Sequence, residues 1–195
     1  MIRVGVFGGS GYAGGELLRY LLGHPEVDLR FVTSRSSAGQ PIAERLPNLA
    51  GWTPLPFIDP READVRSVEA VFMALEHNAS QDVVPALLEA NPALKIVDLA
   101  GDFRTPDPAG YQRFYGRTHG AVELLPRFVY GFTEAARDRI RGAQLVANPG
   151  CFATSLLLGL WPLKAAGLLK GPITAVGITG STGAGAKPAE TTHHP

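Results

Sequence analysis

The sequence predicts an α/β fold, a doubly wound parallel sheet, on three observations. Short β-branched runs alternate with amphipathic stretches through the first hundred residues. Strand, helix, strand, helix and strand follow one another at spacings that imply right-handed crossovers and parallel pairing. A glycine-rich turn joins the first strand pattern to the first helix pattern.

"IRVGVF" (Ile2–Phe7) is β-branched and bounded by glycine, as a buried strand would be. "GYAGGELLRYLLGHP" then places Leu17, Leu18, Leu21 and Leu22 on one helical stripe, stopped by Gly23 and Pro25. "VDLRFVTSR" (Val27–Arg35) reads as the second strand, and the Gly- and Pro-rich stretch to about Phe57 as a long loop. "VEAVFMAL" (Val68–Leu75) is the third strand. "SQDVVPALLEAN" (Ser80–Asn91) is a helix with Ser80 as its expected cap and Pro85 near its first turn, where proline costs least. "LKIVDLA" (Leu94–Ala100) is the fourth strand. "GDFRTPDPAGYQRFYGRTHG" reads as an irregular crossing segment, long enough to suggest function. "AQLVAN" (Ala143–Asn148) is a strand, "FATSLLLGLWPLKAAG" a helix that accommodates Pro162, and "ITAVGITG" (Ile173–Gly180) a strand. No internal repeat is visible. The chain stops at "AETTHHP", after a glycine-rich loop with no closing element, and reads as part of a longer protein.

The bulk numbers exclude several classes. The 195 residues carry 18 Lys and Arg against 18 Asp and Glu, so neither nucleic acid nor an anionic membrane surface is an expected partner. The longest apolar run, near Ser155–Leu163, is far short of the roughly 18 residues a membrane span needs. The opening residues lack the ordered features of a signal peptide. One cysteine cannot form an intramolecular disulfide, which points to a reducing, cytoplasmic setting.

"VFGGSGYAGGELL" contains Gly9-x-Gly11-x-x-Gly14, with Gly8 one step earlier, between a strand and a helix. Glycines there allow a tight turn and close approach to a pyrophosphate on the helix N-terminus, the fingerprint of a Rossmann-like domain. Gly8, Gly9, Ser10, Gly11, Tyr12, Ala13 and Gly14 are therefore the expected cofactor loop. An NAD site usually carries Asp or Glu at the end of the second strand. This chain has Thr33, Ser34, Arg35 and Ser36 there, and an arginine with flanking hydroxyls suits a 2′-phosphate. NADP is the expected cofactor, with Ser34, Arg35 and Ser36 on its phosphate.

The lone cysteine, Cys151, follows Asn-Pro-Gly and opens a helix. Helix N-terminal N–H groups and dipole favour a thiolate, and the amides that follow can steady an oxyanion. A cysteine beside "SLLLGL" also suits a buried core. Coupled to the dinucleotide loop, the thiol suggests hydride transfer to an acyl-enzyme thioester.

"GGSGYAG", "VTSRSSAGQP", "DLAGDFR", "VYGFTE", "ANPGCFAT" and "GITGSTGAG" occur in the order and spacing of the N-acetyl-γ-glutamyl-phosphate reductases of arginine biosynthesis. The whole chain resembles that family, which lies within the aspartate-semialdehyde dehydrogenase superfamily. The resemblance implies an NADP-binding domain over residues 1–147 and the start of an α+β catalytic and dimerisation domain over residues 148–195. It implies a reductive dephosphorylation of a small acyl phosphate, with Cys151 as nucleophile and Asn148 and Gly150 shaping its pocket. Arg104 matches an arginine near the substrate or its phosphate. His77 and Ser80 match the cofactor-side loop, and Ser181, Gly183 and Gly185 a segment near the nicotinamide. No metal is implied, and relatives are typically homo-oligomers.

Some residues depart from the pattern. Glu76 stands where many relatives carry proline, and Lys187 follows a loop that elsewhere ends in arginine. The family's acid/base histidine falls further along than residue 195, so His193 and His194 are not its match. Three alternatives stay open: an N-succinyl form of the same substrate, a reductase of carrier-bound aminoadipyl phosphate in lysine biosynthesis, and a non-catalytic dinucleotide-sensing Rossmann module.

Overall fold

The computed structural model describes residues 1–185. Seven strands, all parallel, form one sheet: β1 (Ile2–Phe7), β2 (Val27–Thr33), β3 (Phe57–Ile58), β4 (Ala70–Met73), β5 (Lys95–Asp98), β6 (Phe128–Tyr130) and β7 (Leu145–Ala147). Their spatial order is β3-β2-β1-β4-β5-β7-β6. The chain steps outward from β1 to β3, then returns to β4 on the other side of β1. That reversal opens a crevice at the carboxyl ends of β1 and β4, where α/β sheets bind ligands.

Both faces of the sheet are covered, which is why Val4–Phe7 of β1 are all buried rather than alternately exposed. Val4, Val6 and Val32 pack with Leu18 and Leu21 of α1 (Tyr12–Leu22) and with Ile42 and Phe57. On the opposite face Phe7, Val71, Met73 and Ile96 pack with Val84 and Leu87 of α3 (Ser80–Ala90). Each buried side chain of this size contributes roughly 1.5–3 kcal/mol.

Several expectations are corrected here. The stretch read as a loop before Phe57 holds the short helix α2 (Ile42–Arg45) and leads into the edge strand β3. The crossing segment after β5 contains a helix, α4 (Pro108–Tyr115). Asp107 caps it by accepting from the Ala109 and Gly110 amides, and Gly116 closes it in the left-handed conformation at φ 72. A further edge strand, β6, and helix α5 (Thr133–Arg141) follow.

Ser80 does not cap α3. Ala79 holds that position, and the Ser80 hydroxyl donates inward to Asp98 Oδ1 at 2.7 Å. Pro85 lies six residues into α3, past the first turn. Residues Ile173–Gly180 form no strand, because no described strand lies beside them to complete a ladder. The final helix, α6 (Cys151–Ala165), runs as expected through Pro162 and sets Trp161 edge-on to Phe132 at 6.1 Å. No helix among the described residues is long and apolar enough to cross a membrane.

Candidate active site at the carboxyl edge of the sheet

The turn after β1 is built by close approach. Gly8 takes φ +81, and a Cβ there would fall 2.6 Å from the Ala74 carbonyl oxygen. The Gly8 and Gly9 amides both donate to the Thr33 carbonyl, at 3.2 and 3.0 Å, which ties the turn to the end of β2. A Cβ on Gly14 would meet the Gly8 carbonyl oxygen at 2.6 Å, so the first turn of α1 lies directly on the loop. Gly11 is the N-cap of α1 with no side-chain cap and no acidic residue following in the first turn. A Cβ at Gly11 would meet nothing within 4 Å. The α1 N-terminus is thus left open to an anion.

This turn forms one wall of a cleft of about 860 Å³. Gly8, Ser10, Gly11, Tyr12, Ala13 and Gly14 line it from β1 and α1, and Ser34, Arg35 and Ser36 from the end of β2. His77 enters from the loop after β4, and Gly183 and Gly185 from the segment after Gly180. Ser10 and Ser34 share a hydroxyl–hydroxyl hydrogen bond of 2.8 Å that closes one wall. Gly9 packs toward Val32 instead, Ser80 is buried beneath Asp98, and Ser181 stops short of the cleft while its neighbour Thr182 lines it. Lys187, His193 and His194 lie outside the described residues.

Sequence reading missed Arg45, Ala74, Leu75 and Glu76, which also line the cleft. The last three directly follow β4, so their position was legible once that strand's end was known. Arg45 sits on α2, which carries no periodic signal. The cleft fits a dinucleotide with a 2′-phosphate: an uncapped helix N-terminus for the pyrophosphate, and no carboxylate after β2 to claim a ribose 2′-hydroxyl.

The loop carrying His77 is held by a buried polar network. Asn78 is the one described non-glycine residue with positive φ, at 71°. Its amide donates to Asp102 Oδ1 at 2.6 Å, and its side-chain oxygen accepts from the Tyr111 hydroxyl at 2.8 Å. Asp102, almost wholly buried, also accepts from the Gln81 amide at 3.0 Å, so it serves as the acidic cap of α3 that Ser80 does not provide. His77 Nδ1 accepts from the Gly101 amide at 2.8 Å.

Asp98, at the end of β5, is fully buried. Its Oδ1 accepts from Ser80 and from the Ala100 amide, while Oδ2 has no hydrogen-bond partner among the described residues. Burial pushes its carboxyl up to about 6 against the lowering effect of those two bonds.

Cys151 is the first residue of α6, immediately beyond the turn that follows β7, and it is exposed. Gly150 caps the helix with no side-chain hydrogen bond, leaving the first amides of α6 free of any side-chain acceptor. Arg104 braces the turn: its Nε donates to the Asn148 carbonyl at 2.8 Å and its Nη2 to the Leu99 carbonyl at 2.7 Å. A Cβ on Gly150 would lie 3.1 Å from Arg104 Nη1. Arg104 therefore holds the cysteine turn in place, with Nη1 the part of the fork left over Gly150. The Asn148 amide donates to the Asp98 carbonyl at 2.7 Å. Glycine loop, His77, Arg104 and Cys151 thus all emerge from the carboxyl ends of neighbouring parallel strands.

Comparison with known proteins gives matches over the whole chain. Residues 3–143 match the family described as "Semialdehyde dehydrogenase, NAD binding domain", and residues 151–195 that described as "Semialdehyde dehydrogenase, dimerisation domain". The N-acetyl-gamma-glutamyl-phosphate reductase of Thiobacillus denitrificans is 45% identical over 188 residues, covering 96% of this chain and 54% of that protein. The protein of the same name from Methanopyrus kandleri is 44% identical over 198 residues, covering 100% and 57%. A Thermomicrobium roseum protein, provisionally named LysW-L-2-aminoadipate 6-phosphate reductase, is 44% identical over 197 residues, covering 100% and 55%. The chain spans about half the length of these curated relatives. Among solved structures, aspartate semialdehyde dehydrogenase II of Vibrio cholerae shares the fold at TM-score 0.59 and 18% identity, covering 85% of this chain and 47% of that one. Aspartate semialdehyde dehydrogenase from Candida albicans does so at TM-score 0.55 and 17% identity, covering 87% and 48%.

Proposed function

We propose, for a chain that belongs to the semialdehyde dehydrogenase family, that the protein containing it reduces N-acetyl-γ-glutamyl phosphate to N-acetylglutamate semialdehyde and phosphate, with NADPH as reductant. One observation carries this reading. Cys151 opens α6 at an uncapped N-terminus, on the same sheet edge as the glycine-lined cleft. The relatives named for this activity support it.

The Cys151 thiolate attacks the acyl carbon of the substrate, the C–O bond to phosphate breaks, and phosphate leaves with that electron pair. The product is a thioester on Cys151. The amides at the start of α6 donate to the carbonyl oxygen as negative charge develops on it. Gly8–Gly14 and Ser34–Ser36 bind and orient the dinucleotide, and His77 closes the far side of the cleft. NADPH, when bound, supplies the hydride that reduces the thioester carbon. The resulting thiohemiacetal on Cys151 collapses to the aldehyde and restores the thiolate. Arg104 keeps Asn148, Gly150 and Cys151 in register with that chemistry.

The same reading divides the chain after Ala147, into a dinucleotide domain and the opening of a catalytic domain. It makes the protein a cytoplasmic homo-oligomer, in keeping with the dimerisation-domain match and the single cysteine. A carrier-bound aminoadipyl phosphate is the second reading, favoured by the Thermomicrobium relative.

The test is the reverse reaction in the whole protein, followed as phosphate-dependent reduction of NADP⁺. Activity with N-acetylglutamate semialdehyde, lost in Cys151→Ser while dinucleotide binding persists, supports the main reading. Activity only with a carrier-bound aminoadipate semialdehyde moves the enzyme to the second. Inactivity with both leaves a dinucleotide-binding module.

A further inference from the structure

We propose that Arg45 is a specificity-determining residue for the 2′-phosphate of the dinucleotide, acting with Arg35 from a separate element; this rests on the dinucleotide reading above. Arg45 ends α2, in a stretch the sequence reads as plain loop. Its position is nonetheless fixed by the core. Ile42, one turn earlier, is fully buried between Leu18, Val32 and Phe57. Its amide donates to the Leu55 carbonyl at 3.2 Å. The next residue, Leu46, rests on α1 so closely that a Cβ on Gly15 would lie 3.0 Å from its side chain. These contacts set Arg45 beside the first turn of α1, facing the same cleft as Ser34, Arg35 and Ser36.

The charges around that end of the cleft leave both guanidiniums free for an anion. Among the described residues, neither Arg35 nor Arg45 has a carboxylate within 4.0 Å. Asp59, whose charge reaches Arg35, is already held by Arg61 through two side-chain bonds of 2.9 Å. Glu16, the fifth residue of α1 and past its first turn, is held by Arg19 at 2.6 Å. The acid that does line the cleft, Glu76, follows β4, and so enters from a different strand than the arginine pair. Two guanidiniums lining one cleft, neither held by a carboxylate among the described residues, offer an anion bound there two cationic partners. A 2′-phosphate offers two negative charges and three acceptor oxygens to two planar donor forks. Arg35 brings one donor fork from the end of β2, and Arg45 brings a second from α2.

The experiment is calorimetric titration of the whole protein with NADP⁺, NAD⁺, 2′,5′-ADP and 5′-AMP. It compares wild type with Arg45→Ala, Arg45→Lys, Arg35→Ala and the Arg35/Arg45 double alanine variant, with melting temperature as the folding control. The expected result is about a 10- to 100-fold loss of NADP⁺ and 2′,5′-ADP affinity in Arg45→Ala. NAD⁺ and 5′-AMP affinities stay unchanged, and Arg45→Lys recovers part of the loss. Because both arginines share one phosphate, the double variant loses less than the product of the two single losses. Equal losses for NAD⁺ and NADP⁺ would place Arg45 on the pyrophosphate and overturn the proposal, as would an unchanged NADP⁺ affinity. Wild-type protein with no NADP⁺ affinity would overturn the dinucleotide reading itself, a result visible before any variant is made.

Discussion

One guanidinium, that of Arg104, donates to the carbonyl oxygens of Asn148 at 2.8 Å and of Leu99 at 2.7 Å. Those carbonyls belong to the turn before Cys151 and to the end of β5. A side chain in the middle of a loop therefore sets the position of the turn before Cys151 relative to the sheet.

Replacing Arg104 tests that brace. Lysine keeps the charge but carries its donors on one nitrogen and cannot reproduce the fork. Both Arg104→Ala and Arg104→Lys are expected to lower kcat/KM for the reverse reaction by about 10- to 100-fold, while leaving the dissociation constant for NADP⁺ nearly unchanged. Melting temperature falls by about 2–4 °C for each kcal/mol of bracing lost. An Arg104→Lys protein with full activity would mean the charge alone matters.

Two glycines of the turn after β1 separate fold from ligand. A methyl at Gly14 drives into the Gly8 carbonyl oxygen, so Gly14→Ala should cost about 1–3 kcal/mol and lower the melting temperature. A methyl at Gly11 meets nothing within 4 Å, and Gly11 lines the cleft at φ −84, where alanine is unstrained. Gly11→Ala should melt with wild type and bind NADP⁺ more weakly. Paired thermal-shift and titration measurements on the two variants check both halves.

Asp98 makes stability depend on pH. Burial holds its folded-state carboxyl at about 6, against 3.8 when unfolded. Between those values the folded state binds the extra proton, so stability falls as pH rises from about 4 through 6. Above that the full penalty, roughly 3 kcal/mol, is present. Asp98→Asn keeps an acceptor for Ser80 and Ala100 and cannot ionise. Chemical denaturation between pH 4 and 8 should show a flatter profile in the variant and greater stability than wild type at pH 8. Parallel profiles would refute this role for Asp98.

Asp102 answers for the loop that carries His77. Asp102→Ala strips the acceptor from the Asn78 and Gln81 amides, leaving Asn78 in a left-handed conformation with less to hold it. The expected cost is on the order of 3 kcal/mol, read as a lower denaturation midpoint. NADP⁺ affinity should fall as well, since His77 lines the cleft. Asn78→Gly, which needs no such support for its φ, should be tolerated far better than Asn78→Ala.

Much of this protein was legible from local pattern. The β1 run, the glycine spacing, the α1 stripe and the cysteine after Asn-Pro-Gly each carry their meaning within about fifteen residues of sequence. The same locality explains what was missed. A two-residue edge strand such as β3 has no period to detect, and its existence depends on Val32 and Thr33 lying beside it. The Asp107–Pro108 pair opens α4 where the surrounding glycines and prolines read as loop.

By itself the sequence determined that a parallel sheet would form, that a glycine turn would follow its first strand, and that the one thiol would begin a helix. Tertiary structure alone decided which polar groups meet. Ser80 turns from cap to partner of Asp98 across 18 residues, and Arg104 reaches Asn148 across 44. Arg45 is brought to the cleft by Ile42 and Leu46, whose own partners lie in β2, β3 and α1. Hydrophobic period is a property of neighbours along the chain, whereas a hydrogen bond or a charge pair is a property of neighbours in space. Only the packed sheet supplies those.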